Sequence, residues 1–163
     1  MTTELQMSPP IVTGSVPTDD DFERWRAADR GARPARLQRF RERLEREGVG
    51  AYFGVRRENT RYLTGFILGD GEEKVAGNSG QFFVSRDEVV VLADSRYTIQ
   101  ASEQSPDGRM EQVYNDLVTK WPELLASLGS PKRLAVEAGF VSHGMWQRLA
   151  AASPGVELVP AEG

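Results

Sequence analysis

Residues 81–97 read Gln81-Phe82-Phe83-Val84-Ser85-Arg86-Asp87-Glu88-Val89-Val90-Val91-Leu92-Ala93-Asp94-Ser95-Arg96-Tyr97. Residues 81–85 and 88–93 are short apolar runs rich in aromatic and β-branched side chains, parted by Arg86-Asp87. That pattern predicts a β-hairpin of two strands buried on both faces. Asp94-Ser95-Arg96-Tyr97 then marks a strand-to-helix junction, with Asp94 placed to cap a helix of about ten residues ending near Pro106.

Working outward, residues 51–55 form another buried apolar run, and 110–114, 133–137 and 156–160 complete a set of six strand candidates. Pro34 suits the first position of a helix and Gly48 its C-terminal cap; Leu37, Phe40 and Leu44 lie on one stripe between them. Ahead of Pro34, Asp19, Asp20 and Asp21 open a short helix carrying Phe22 and Trp25, which Gly31 is expected to break. Asp116 caps a helix with Leu117, Leu124, Leu125 and Leu128, with Pro122 near its effective start. Ser142 caps one with Met145, Trp146 and Leu149. Strands alternating with helices, plus one hairpin, predict an α/β fold with a mixed sheet. Residues 1–20, with three prolines and only acidic charges, read as a flexible leader to a single domain over 21–163.

Composition sets the limits. The 163 residues carry 20 basic and 24 acidic side chains, a net charge of −4, and 39% are hydrophobic, enough for a core without staples. No apolar window approaches a membrane span, and no secretory signal opens the chain, so a cytoplasmic protein is expected. Zero cysteines exclude disulfides, thiolate metal centres and thiol nucleophiles, and one histidine, His143, excludes a multi-histidine zinc site. Residues 24–46 hold nine of the basic side chains, but Asp29, Glu42 and Glu45 are interleaved and no stacking aromatics lie among them. A solvated, self-paired helix face is expected there, not a nucleic-acid surface.

The irregular stretch 58–80 is the richest in chemistry. Gly69 and Gly71 suggest a phosphate loop, but Lys74 stands where a dinucleotide loop needs its third glycine, and Asp70, Glu72 and Glu73 give the wrong charge. The connection 67–80, at 14 residues, is of a length more often found in a lid or contact surface than in a spacer. Asp94 and Arg96 beside Tyr97 resemble a carboxylate clamp, yet capping and local pairing explain them better. His143 has no sequence neighbour to orient it as a base, Ser79 lies outside any G-x-S-x-G turn, and the carboxylates form no inward-facing set for a metal.

Asn59-Thr60-Arg61-Tyr62-Leu63-Thr64-Gly65-Phe66 resembles the Asn-(Ile/Val)-Arg-Tyr-Leu-Thr-Gly-Phe signature of the N-terminal domain of creatinases, prolidases and aminopeptidases P. Asp94-Ser95-Arg96-Tyr97-Thr98-Ile99-Gln100-Ala101 is similar to that domain's Asp-x-Arg-Tyr mark with its Gln-Ala helix. Leu134-Ala135-Val136-Glu137 and Pro154-Gly155-Val156-Glu157-Leu158-Val159 resemble its later strands. Thr60, in place of a branched aliphatic, and the stretch 72–79 depart from the pattern.

The resemblance implies a roughly six-stranded mixed sheet flanked by helices, related to ribonuclease H. It implies a domain without catalytic residues or a metal of its own. The family's two divalent ions (Mn, Co or Zn) are held in a C-terminal half that this chain lacks. The partners implied are that half, a second subunit in a homodimer and short Xaa-Pro peptides, with no nucleic acid and no membrane. In that reading Phe66, Ile67, Asp70 and Glu73 belong to a loop presented to substrate. Asn59, Arg61 and Tyr62 fix its base, Arg61 being the candidate for carboxylate contact, and Asp94, Arg96 and Tyr97 are architectural. The alternatives are the same domain of a creatinase, disfavoured because 67–80 holds no Arg and only Lys74 as a cation, and a free-standing interaction module. The isolated chain is expected to be inactive and to self-associate at most weakly.

Overall fold

A computed structural model describes residues 16–69, 71, 76–113 and 116–162. Among these the chain order is α1 (Asp19–Arg46), β1 (Ala51–Gly54), α2 (Arg57–Thr64), β2 (Phe82–Ser85), β3 (Val89–Ala93), α3 (Thr98–Gln104), β4 (Arg109–Gln112), α4 (Leu117–Ser127), β5 (Arg133–Glu137), α5 (His143–Ala151) and β6 (Glu157–Ala161). The hairpin forms as read, with Phe82 opposite Val91 and Val84 opposite Val89. It extends into one six-stranded sheet ordered β4-β3-β2-β1-β5-β6. β1–β2 and β2–β3 are antiparallel, and β3–β4, β1–β5 and β5–β6 are parallel. This is the mixed α/β architecture the alternation predicts.

The four inner strands are apolar through their middles, with polar residues only at the ends of β2 and β5, because both their faces are covered. On one face Tyr52, Phe82, Val84, Val91 and Ala135 meet α1, α2 and α3 through Leu37, Leu44, Leu63 and Ala101. On the other, Phe53, Phe83, Leu92, Leu134 and Val136 meet α4 and α5 through Trp121, Leu124, Leu125 and Leu149. Trp121 is fully buried against Phe53 and Phe83, and its Nε1 donates to Ser153 Oγ at 2.8 Å, so the ring enters the core without stranding its one donor. Proline is confined to an edge strand of the sheet, at Pro160 of β6, where a missing N–H does least harm.

Three expectations about helices are corrected. Gly31 does not break the first helix and Pro34 does not begin a second: α1 runs through both for 28 residues. The Asp29 carboxylate spans the interruption, pairing with Arg36 at 2.7 Å and approaching Arg33 at 3.9 Å, and buried Arg33 anchors that turn by donating to the Gln104 carbonyl. Pro122 lies in the sixth position of α4, on its exposed side, while Asp116 holds the helix start by accepting from the Val118 and Thr119 amides. Asp94 does not cap α3. It closes a turn in which the Tyr97 amide donates to the Asp94 carbonyl, and Tyr97 stands at the helix start. The N-cap of α1 is Thr18, ahead of the three aspartates: its side chain and that of Asp21 bond each other's backbone amides, while Asp19, Asp20 and Asp21 fill the first turn; the cap at Ser142 is present as read. Residues 1–15 and Tyr114, named above in the leader and in a strand, lie outside the described residues.

Candidate functional site

The signature segment, taken above as irregular, is the helix α2. Its start is organised from the neighbouring strand β5, on the sheet face that α2 itself covers. Glu137, fully buried at the end of β5, accepts from the amides of Val55 and Arg56 at 2.6 Å each, from the Tyr52 hydroxyl and from Asn59 Nδ2. Four donors on one carboxylate satisfy it without a cation and cap α2, whose own first residue supplies no side-chain cap. Burial, then the bond to Glu137, pushes the Tyr52 phenol far above its ordinary value.

The far end of α2 starts the long connection to β2. Gly65 ends the helix in the left-handed conformation, φ +83°, and Thr64 Oγ1 accepts from the Phe66 amide. Ile67 is then clamped on both sides by α3: its amide donates to Gln104 Oε1 at 2.8 Å and its carbonyl accepts from Gln100 Nε2 at 2.6 Å. Arg57 holds the Leu68 carbonyl at 3.0 Å. At the returning end Thr60 Oγ1 donates to the Gly80 carbonyl at 2.6 Å, and the Asp94 amide donates to Ser79 Oγ at 2.9 Å. Thr60, the departure from the family's aliphatic, thus ties the helix to the loop's exit.

Between α2 and the two anchored loop ends lies an open cleft of about 500 Å³, with Arg57, Arg61, Ile67, Leu68, Gly77 and Gln81 among its walls. Arg61 is exposed on that wall and makes no ion pair among the described residues. Gln81 contributes a buried Oε1 that no donor meets. A guanidinium beside the apolar side chains of Ile67 and Leu68 can receive the carboxylate of a small ligand.

The expected site residues divide. Arg61 and Ile67, the latter 40% exposed, reach the cleft. Phe66 shows 1% of its surface and packs edge-on near Tyr97, so its bulk belongs to the core and not to a presented loop. Asn59 is spent on Glu137, and Tyr62 faces α1 under the Arg36 guanidinium, 4.5 Å from its ring centre. Asp70 and Glu73 lie outside the described residues. Asp94 accepts from the Arg96 amide and guanidinium, and the Arg96 side chain holds its carboxyl below the ordinary value. The loop's base is therefore fixed by Gln100, Gln104, Arg57 and Thr60. Gln100 belongs to the Gln-Ala mark quoted above and Gln104 to no motif; their spacing of four on one helix face is the sequence signal that pairs them. His143 is exposed in the first turn of α5.

The sequence pattern of the Creatinase/Prolidase N-terminal domain family matches residues 36–163. The chain belongs to that family. The creatinase/prolidase N-terminal domain of this chain is 26% identical over 125 residues to an uncharacterised peptidase, YqhT, of Bacillus subtilis, covering 77% of the chain and 33% of the relative. It is similar to the N-terminal domain of the cytoplasmic peptidase PepQ of Mycobacterium tuberculosis (TM-score 0.64, 26% identity), covering 79% of this chain and 94% of that one. An Xaa-Pro dipeptidase of Bacillus anthracis shares the fold (TM-score 0.65, 20% identity) over 78% of this chain and 33% of its own. The chain spans about a third of the length of the curated relative it matches.

Among the described residues no three acidic or histidine side chains gather as ligands, and the buried carboxylate of Glu137 is filled by protein donors. No helix among them is long and apolar enough to cross a membrane.

Proposed function

We propose that this chain is the non-catalytic N-terminal domain of a cytoplasmic, proline-specific (Xaa-Pro) metallopeptidase, and that it shapes substrate access and contributes to dimer contacts. The observation that carries this reading is the pattern of coverage: nearly all of the PepQ N-terminal domain is matched, but only a third of the Xaa-Pro dipeptidase. The peptide bond would be cut in the other two thirds, where two divalent ions (Mn, Co or Zn) would be held. This domain would supply a wall: the cleft beside α2, with Arg61 facing the carboxylate end of a short Xaa-Pro peptide and Ile67 at its lip. A rigid wall limits substrate length and excludes water from the reacting centre. The anchoring of both loop ends gives that wall the rigidity it needs.

The test is to purify the chain and assay Xaa-Pro peptides with manganese, and to read the coding sequence beyond Gly163. No turnover, with a metal-binding half following in the same reading frame, is the expected result. Metal-dependent turnover by the chain alone, or a reading frame that stops at Gly163, overturns the assignment.

A further inference from the structure

The match to the family pattern begins at residue 36, inside α1, and leaves the first half of the helix outside it. From Asp19 to residue 32 no side chain is buried, and the helix first sinks into the domain at Arg33. At 1.5 Å per residue this segment is about 21 Å of helix, standing clear of the sheet. A lone helix of that length is marginal in water even when well capped.

Its apolar face is a continuation of the docked face. Phe22 precedes Arg33, Leu37, Phe40 and Leu44 by 11, 15, 18 and 22 residues, close to whole turns of about 3.6 residues. The stripe that packs on the domain therefore runs on past the domain's edge. There Phe22 and Trp25 sit edge to face, 5.4 Å apart, and are 43% and 52% exposed. Two aromatic rings on the inward face of an overhanging helix are a contact surface in want of an occupant.

Charge names the occupant. Residues 19–23 carry four acids, Asp19, Asp20, Asp21 and Glu23, and no base. Residues 24–30 carry Arg24, Arg26 and Arg30 against Asp29 alone. The segment is self-complementary when two copies lie antiparallel, since each acidic end then meets the other's basic stretch and the helix dipoles oppose. A parallel pair would set like on like. The pair Arg26–Glu23 is largely exposed, contributes little and is free to exchange partners; in the other, the exposed Arg24 can swing away while Asp21 stays in its cap with Thr18. We infer that residues 19–32 of α1 dock antiparallel on the same segment of a second copy of this chain, with Phe22 and Trp25 at the centre. Two four-turn helices bury less than the roughly 1,200 Å² of a stable interface, so the dimer is weak and reversible. The inference does not rest on the peptidase reading: the helix pairs whether or not the domain walls an active site.

Sedimentation of the full chain from about 1 µM to about 1 mM tests it. The expected result is a monomer–dimer equilibrium whose Kd rises at least about tenfold in the double variant Phe22→Ser, Trp25→Ser, with the thermal midpoint unchanged at about 1 µM, where the chain is monomeric, because both residues are exposed. One charge variant, Asp19→Arg with Asp20→Arg, and a second, Arg26→Glu with Arg30→Glu, are each expected to be monomeric alone and to dimerise when mixed. A chain monomeric at every concentration overturns the inference, as would follow if residues 1–15 or another protein covered the aromatic pair. So does a dimer that survives the loss of Phe22 and Trp25, or charge variants that fail to rescue one another.

Discussion

Gly65 and Arg33 share one volume: a Cβ added to Gly65 would overlap the Arg33 guanidinium at Nη2. The Arg33 guanidinium lies against the C-terminal end of α2, buried and bonded to the Gln104 carbonyl, and burial draws its pKa below the ordinary value against the pull of Asp29. Gly65→Ala must therefore adopt φ +83° and displace a buried cation from its bond. The expected cost is about 3 kcal/mol, read as a shift of the urea midpoint at constant slope. Gly129 supplies the control. Its φ is +81° but nothing lies within 4 Å of the added carbon, so Gly129→Ala should cost only the backbone part, about 1 kcal/mol. Equal losses at the two sites would show that Arg33 yields freely.

The Glu137 hub predicts a pH dependence. The folded state holds the Tyr52 phenol protonated far above its unfolded value near 10, so the unfolded chain loses that proton first as pH rises. Stability is present in full below about pH 10 and falls above it. Of the four tyrosines, one should ionise only as the fold is lost, seen as tyrosinate absorbance that coincides with loss of circular dichroism. In Tyr52→Phe that coincident step should vanish. An absorbance curve in which all four ionise before unfolding would refute the buried bond.

The glutamine clamp should govern local opening. Gln104→Ala removes the acceptor of the Ile67 amide and Gln100→Ala the donor to its carbonyl, each worth about 1 kcal/mol. Exchange of the Ile67 amide should speed about fivefold in Gln104→Ala, while core amides of β3 change little. Uniform acceleration across the sheet would mean that the clamp supports the whole fold and not the loop.

The contrast between β2 and α2 shows what a sequence makes legible. β1, β2, β3 and β5 declare themselves because burial on both faces leaves apolar runs, and those four fall within a residue of their expected bounds. β4 and β6 are half-buried edges, so their ends drift by a residue or two. α2 carries no apolar run, only Thr60, Leu63 and Thr64 inward, and its cap comes from Glu137, eighty residues away. No local pattern encodes such a cap; resemblance alone marked the segment. The same holds for α1, where Asp29 reaches across Gly31 and Pro34 and overrides two residues that locally punctuate helices. Within the cleft, Arg61 was legible from its motif, whereas Gln81 and the two clamp glutamines became meaningful only once β2 and α3 were brought beside α2.

Arg61 allows the proposed role to be separated from stability. Its side chain is exposed and forms no ion pair among the described residues, so Arg61→Ala in this chain should move the unfolding free energy by no more than about 0.5 kcal/mol. In a longer protein joining this domain to a metal-binding half, the proposed role predicts that the same substitution removes a contact to the substrate carboxylate made before and during reaction alike. KM for short Xaa-Pro peptides should then rise about tenfold with kcat nearly constant, and Arg61→Lys should recover part of that loss, since a point charge replaces a two-pronged donor. A substrate whose C-terminal carboxylate is amidated should bind wild type and variant alike. If KM is indifferent to Arg61 while the fold is intact, the cleft beside α2 does not face the peptide, and the domain's contribution must lie on another surface.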